Sequence, residues 1–413
     1  MYENQLIYKA FPGKEATRSQ ALRGIVVHPF QLNPFIYFVL LLPLIRPAII
    51  AQIPSIEAFV TYLRLASALV VILLYMRFGK MNAPVLVFLL IQGALIFSTL
   101  YNNLDIGPWF NSAASAVALV LLVDLGCRDF SHFLKGGIAC YLLLVTVNLI
   151  TVLLFPNGMY QTLYQTRNWF LGYDNNHLQT ILPGFCIAVC YAGFFERKAI
   201  AILYSIIAIA TILLTQSAAA IVALVVLACS FLFINKNTGK VVNFRCYACI
   251  YYILFFVIVV FRFQEVFGVF IEGLGKNLTF TGRTLIWDSY LTAIAKAPVF
   301  GYGVMSSSAK LLTVGTMPYT HNHILEVLFS GGALLAVCWF AFFISIWRIC
   351  KPYLGNKVIK MLSACCFALM LTMIVESYEG ASQFYVPFIL LGGYGQSLSD
   401  RVAINRDRIA NEK

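Results

Sequence analysis

The side chains able to do chemistry gather in three polar stretches of an otherwise apolar chain. "FTGRTLIWDSY" at 280–290 sets Arg283 in a Thr-Gly-Arg-Thr turn, followed by Trp287 and Asp288. A turn that opens a helix presents backbone N–H groups, and a guanidinium beside them favours an anion, phosphate above all. "YTHNHILEVLFSGG" at 319–332 carries His321, Asn322, His323 and Glu326. Imidazole titrates near neutrality, so His321 suits a general base that activates a hydroxyl. His-x-His with a Glu is also a conceivable metal cluster, but the spacing is not a strong zinc pattern.

"TRNWFLGYDNNH" at 166–177 adds Arg167 and His177. Asp174, Asn175 or Asn176 can cap a helix that begins there, with His177 as an interfacial side chain. Arg283 and Arg167 together could clamp a pyrophosphate. The competing reading is that both reach to lipid headgroups. Trp169, Trp287, Tyr290 and Tyr302 are either belt aromatics or platforms on which sugars stack, and the sequence favours the belt.

These groups need a scaffold, and composition says which kind. Of 413 residues, 61% are hydrophobic and 11% charged, and the mean hydropathy is +0.83. Soluble domains carry roughly 25% charged residues. The chain is therefore an integral membrane protein. Apolar windows of about 17 to 25 residues fall near 35–53, 58–76, 84–101, 109–126, 137–155, 177–195, 199–215, 217–234, 246–262, 323–347, 358–376 and 383–398. The expected fold is all-α and polytopic, with about twelve spans. The pair around "LTQSAAA" reads either as two helices or as one broken one. A basic arm (1–34) precedes a single membrane domain (35–398), and a short tail (399–413) follows. The arm holds no short apolar core before a small-residue cleavage site, so the first span is expected to act as the insertion signal.

Charge placement orients this topology. With the N-terminus inside, Arg77, Lys80, Arg128, Lys135, Arg197 and Lys198 all fall on inner loops, as do the clusters at 236–245 and 348–360. Outer segments hold only Arg167, Arg262, Lys276, Arg283, Lys296 and Lys310, while Arg46 and Arg64 fall inside spans. The bias of roughly three to one satisfies the positive-inside rule and puts both termini in the cytoplasm. Most of the net charge of +12 thus reflects topology and not a nucleic-acid partner. Inner loops are short. The outer face has two longer connections, about 156–176 and 263–322, and long loops in compact proteins are commonly functional. The second contains a short amphipathic helix, with Ile286, Tyr290, Ala293 and Ile294 at helical spacing, expected to lie at the outer interface.

Absences narrow the chemistry. The outer loops hold no Asp-x-Asp pair for a divalent metal, and there is no phosphate-binding glycine motif on the inner side. No cofactor is expected. The 11 cysteines lie mostly in apolar runs or on inner loops, which suits reduced thiols. Cys246 and Cys249 form a CxxC with no second pair nearby, so packing is the expectation there. A glycosyl transfer at the outer face would need a donor already in the membrane, activated by a lipid pyrophosphate, with arginines stabilising the charge.

"TGRTLIW", "APVFGYG" and "HNHILEVLFSGG", in that order after about nine spans, together with "RNWFLGYDNNHLQTILPGF", resemble the bacterial O-antigen polymerase and O-antigen ligase family. The motifs cover about 160–185 and 280–335. The resemblance implies a metal-independent glycosyltransferase at the outer face of the inner membrane. It implies a donor glycan on undecaprenyl pyrophosphate, with His321 as catalytic base or acceptor-orienting group and Arg283 as pyrophosphate ligand. Arg167 is the expected second ligand, and Asn322, His323, Glu326, Asp288, His177 and Arg64 are secondary candidates. Polymerases pass the chain to the next lipid-linked repeat, and ligases pass it to lipid A-core. Where ligases especially carry an arginine after the Ser of "LTQSAAA", this chain has Ala218, and Arg167 or Arg64 is the candidate replacement. The expectation is a polymerase for O-antigen, capsule or exopolysaccharide, with a chain-length regulator and a flippase as accessory partners. The alternatives are a ligase, or a transporter of polysaccharide precursors, which Arg46, Arg64 and Glu376 near the membrane would suit.

Overall fold

The computed structural model describes residues 30–161, 166–234, 238–262, 283–378 and 382–411. Most of the basic arm, and Thr281 and Gly282 of the polar turn, lie outside them. Every one of the twelve apolar windows carries helix. In chain order the helices are α1 (Pro34–Ile45), α2 (Pro54–Phe78), α3 (Ala83–Tyr101), α4 (Gly107–Arg128), α5 (Phe130–Leu154), α6 (Leu178–Phe195) and α7 (Lys198–Thr215). They continue with α8 (Ala218–Leu232), α9 (Phe244–Phe255), α10 (Arg283–Lys296), α11 (Ser307–Val314), α12 (His323–Cys350), α13 (Lys357–Thr372) and α14 (Val386–Asn411). Among the described residues, seven helices are long and apolar enough to cross a bilayer unaided; α1, α8 and α9 are shorter apolar helices. "LTQSAAA" is a break between two helices: Gln216 takes φ +55 and ends α7, and Ser217 caps α8.

The burial pattern is that of a protein solvated by lipid. On α2 the exposed residues include Phe59, Leu63, Leu69, Leu73 and Met76, while Arg64, Ser67 and Tyr75 are among those that face inward. Apolar side chains outward and polar ones inward is the arrangement that hydrocarbon selects. Helix starts are closed by short polar side chains: Asn33, Asn82, Asn243, Asn322 and Asn356 each accept from a backbone N–H two or three residues on. Such caps satisfy backbone donors that have no partner within the helix. None of the eleven cysteines forms a disulfide.

Two features depart from the sequence reading and both shape the site. A small antiparallel sheet, β1 (Tyr160–Gln161), β2 (Arg167–Trp169) and β3 (Gly172–Tyr173), stands between α5 and α6. Its segments are too short to leave a periodic signal.

The second departure is the shape of α12, read from sequence as one straight span. The His323 and Trp339 rings are only 4.9 Å apart. Sixteen residues of straight helix would separate them by about 24 Å. The helix instead folds over at Gly332, whose φ is +58 and ψ −153. A Cβ there would stand 2.5 Å from the Val299 backbone. Limb 323–331 therefore lies back along limb 333–350. The motif "APVFGYG" clasps the fold: Tyr302 N donates to Phe329 O and Gly303 N to Ser330 O, both at 2.8 Å. Ala333 N donates to Pro298 O at 2.9 Å. Ser98 on α3 joins from the side, its Oγ donating to Ser330 O at 2.9 Å.

Candidate active site

His321 stands at the foot of the folded-back limb. Its neighbours Thr320 and Asn322 are fully buried. Thr320 Oγ1 donates to Asn322 O at 2.9 Å, and Asn322 Nδ2 donates to Ile374 O at 2.9 Å while its Oδ1 caps α12 through Leu325 N. With both sides pinned, His321 takes φ +48, in the left-handed region. A non-glycine residue there costs on the order of 1–3 kcal/mol and persists only where the surroundings enforce it. The result is a histidine turned out of the packed wall, its side chain 29% exposed.

What it meets is Glu376, just past the end of α13. His321 Nδ1 lies 3.3 Å from Glu376 Oε2. Arg283 Nη2 donates to Glu376 Oε1 at 2.8 Å, and Asn175 Nδ2 donates to the same oxygen at 2.8 Å. Ser217 Oγ then donates to Asn175 Oδ1 at 2.7 Å. One carboxylate thus gathers side chains from the starts of α10 and α12 and from the turn before α6, and the Ser217 cap of α8 joins at one remove. Facing a carboxylate, Nδ1 of a neutral His321 is the donor, which leaves Nε2 with its lone pair available. Tyr173, on β3, borders the cluster. Burial raises its hydroxyl above the usual phenol range, Asp174 and Glu376 push the same way, and Arg283 opposes them.

α10 reaches this point because its inner face packs on α12. Thr284, Ile286, Trp287, Tyr290 and Ala293 are buried. Tyr290 meets Phe329 edge-on at 5.1 Å and donates to Met317 O at 3.1 Å. Trp287 and Trp169 are also buried, so the belt reading of these aromatics fails: they pack inside the protein. Tyr302 stacks on Phe329 at 4.9 Å.

The remaining candidates are spread over other contacts. Arg167 is exposed on β2, its guanidinium 5.7 Å from the Trp169 ring and near enough to Asp174 for their charges to act on one another. Asp288 pairs with Arg262. Arg64 is buried on α2 beside Asn111, 3.5 Å away. His177 is buried as well, and Nε2–H donates to Gly172 O at 3.1 Å, which ties the sheet to α6. His323 is buried between Trp339 and Phe384. Glu326 receives Lys310 Nζ at 2.8 Å and Ser330 Oγ at 2.9 Å. Among the described residues no three His, Cys, Asp or Glu stand together as a metal site. Sequence reasoning singled out Arg283 and His321 but left Glu376, Asn175 and Ser217 out of the site. The available signal was Glu376 itself, an acid at the edge of an apolar window.

Residues 203–340 match the family model described as O-antigen ligase. Over that third of the chain the match supports the resemblance to the O-antigen polymerase and ligase family. The match holds Ser217, Arg283 and His321 and stops short of Glu376. No curated protein matches the chain. The structure places a cation, an imidazole and a carboxylate at one point among the apolar helices.

Proposed function

We propose that the chain is a polymerase of polysaccharide repeat units, transferring a glycan from undecaprenyl pyrophosphate to the next lipid-linked repeat. The observation that carries this reading is the convergence of Arg283 and His321 on Glu376. In the proposed step the acceptor hydroxyl attacks the anomeric carbon and the bond to the pyrophosphate oxygen breaks. His321 Nε2 takes the hydroxyl proton. Glu376 holds the ring in that tautomer and stabilises the imidazolium that forms, the role a carboxylate plays behind many catalytic histidines. Arg283 turns from Glu376 to the departing pyrophosphate, with Arg167 as a second charge from the sheet. By analogy with the family, the anomeric configuration inverts. No metal takes part in this scheme.

The polymerase reading is preferred to a ligase because the family's arginine position is Ala218, the first residue of α8 and next to Ser217. The site would then depend on Arg283 and Arg167 for positive charge. The proposed setting is the bacterial inner membrane, with about twelve crossings, both termini cytoplasmic and the site on the outer side. A flippase would supply the donor and a chain-length regulator would set its use. The test is purified protein in detergent with a lipid-linked repeat. Products longer than one repeat are expected. Transfer only when lipid A-core is supplied would make it a ligase, and no bond formation with either acceptor would favour a transporter.

A further inference from the structure

One cavity carries polar groups that the reaction above does not use. It measures about 80 Å³ and lies between α3, α4, both limbs of α12 and the residues Tyr378, Ser382 and Tyr385. That is room for on the order of five waters, roughly the space of one sugar ring. Gln92, Ser112, His323, Tyr378, Ser382 and Tyr385 give it polar groups, and Trp339 gives it an aromatic face. Polar groups at such depth are costly in a membrane protein and mark sites.

His323 says what kind of occupant fits. It is 6% exposed, and neither ring nitrogen has a hydrogen-bond partner within the protein. A buried polar group in that state is costly unless something in the cavity pairs with it. A neutral imidazole offers one donor and one acceptor. Its partner must both accept and donate, as a hydroxyl does. Glu326 also lines the cavity, but Lys310 balances its charge at 2.8 Å, so the wall has little to draw an ion.

We propose that this cavity binds one sugar ring of the acceptor glycan through its hydroxyls, with His323, Gln92 and Ser382 as the recognising groups. The proposal rests on the glycosyl-transfer reading for the identity of the glycan. His323 and Tyr378 stand two residues from His321 and Glu376, about 7 Å of backbone. The cavity thus shares two chain segments with the candidate active site, yet His321, Glu376 and Arg283 do not line it.

The probe is the oligosaccharide released from the cell's own lipid-linked repeat, titrated against purified protein. Ala116→Leu fills the cavity without removing a polar group, and His323→Leu removes the imidazole. Each is expected to weaken glycan binding by about tenfold or more. Wild-type affinity in both cavity variants, or no binding by the wild-type protein, overturns the subsite. If a variant does not purify in folded form, Gln92→Leu takes its place with the same expectation. Binding without bond formation from the lipid-linked repeat would sink the transfer reading and leave the subsite standing.

Discussion

Arg283 and Glu376 stand 93 residues apart in the chain and meet at 2.8 Å. The carboxylate holds the guanidinium at a helix start, where an anionic ligand is also favoured. In the proposed reaction an incoming pyrophosphate would draw Arg283 away from Glu376, leaving the carboxylate to His321 and Asn175. Glu376→Gln keeps the shape and removes the charge. Polymer formation by the purified enzyme is expected to fall by about a hundredfold or more, with kcat taking the loss, and Glu376→Asp is expected to restore part of it. Full turnover in Glu376→Gln would remove the carboxylate from the mechanism.

Arg283→Lys separates a phosphate ligand from a headgroup anchor. Lysine keeps the charge but loses the planar fork that engages a phosphate through two bonds. Most activity should disappear, and KM for the lipid-linked donor should rise. A fully active lysine variant would mean that the site needs only a positive charge beside Glu376 and no two-bond phosphate ligand.

His321→Ala removes the proposed base and also replaces a strained left-handed histidine. The variant is expected to accumulate in membranes at normal levels and to make no polymer. Wild-type polymer length at equal protein level would refute the assignment.

Gly332→Ala tests the fold of α12. Its positive φ and the 2.5 Å approach to Val299 leave no space for a methyl group. A loss of about 3 kcal/mol or more is expected, visible as a lower melting temperature in detergent. Melting close to wild type would show that the two limbs can part without cost.

Lys310 and Glu326 form an ion pair whose side chains are 2% and 6% exposed. Lys310→Met strands the carboxylate, at a cost of about 3–5 kcal/mol. Lys310→Met with Glu326→Gln should recover most of that stability. Thermal unfolding of the single and double variants reads the difference, and equal melting of the two would contradict the pairing.

The sequence by itself determined the solvent. Its low charge and recurring apolar windows require helices in lipid, because only helices and closed barrels satisfy their own backbone there. It also marked Arg283 and His321, since charged or titratable groups stand out against an apolar chain. The tertiary structure decided which of the marked residues meet. Glu376 read only as a charge near a membrane edge, because nothing local records that α13 ends beside the starts of α10 and α12. The apolar periodicity of α12 ran through Gly331 and Gly332 as though the helix were straight, because one residue at positive φ reverses the chain without disturbing the pattern. That reversal sets His323 against Trp339, and the chain just before it turns His321 out toward Glu376. Residue type fixed what each group can do; only packing over long sequence separation fixed which of them act together.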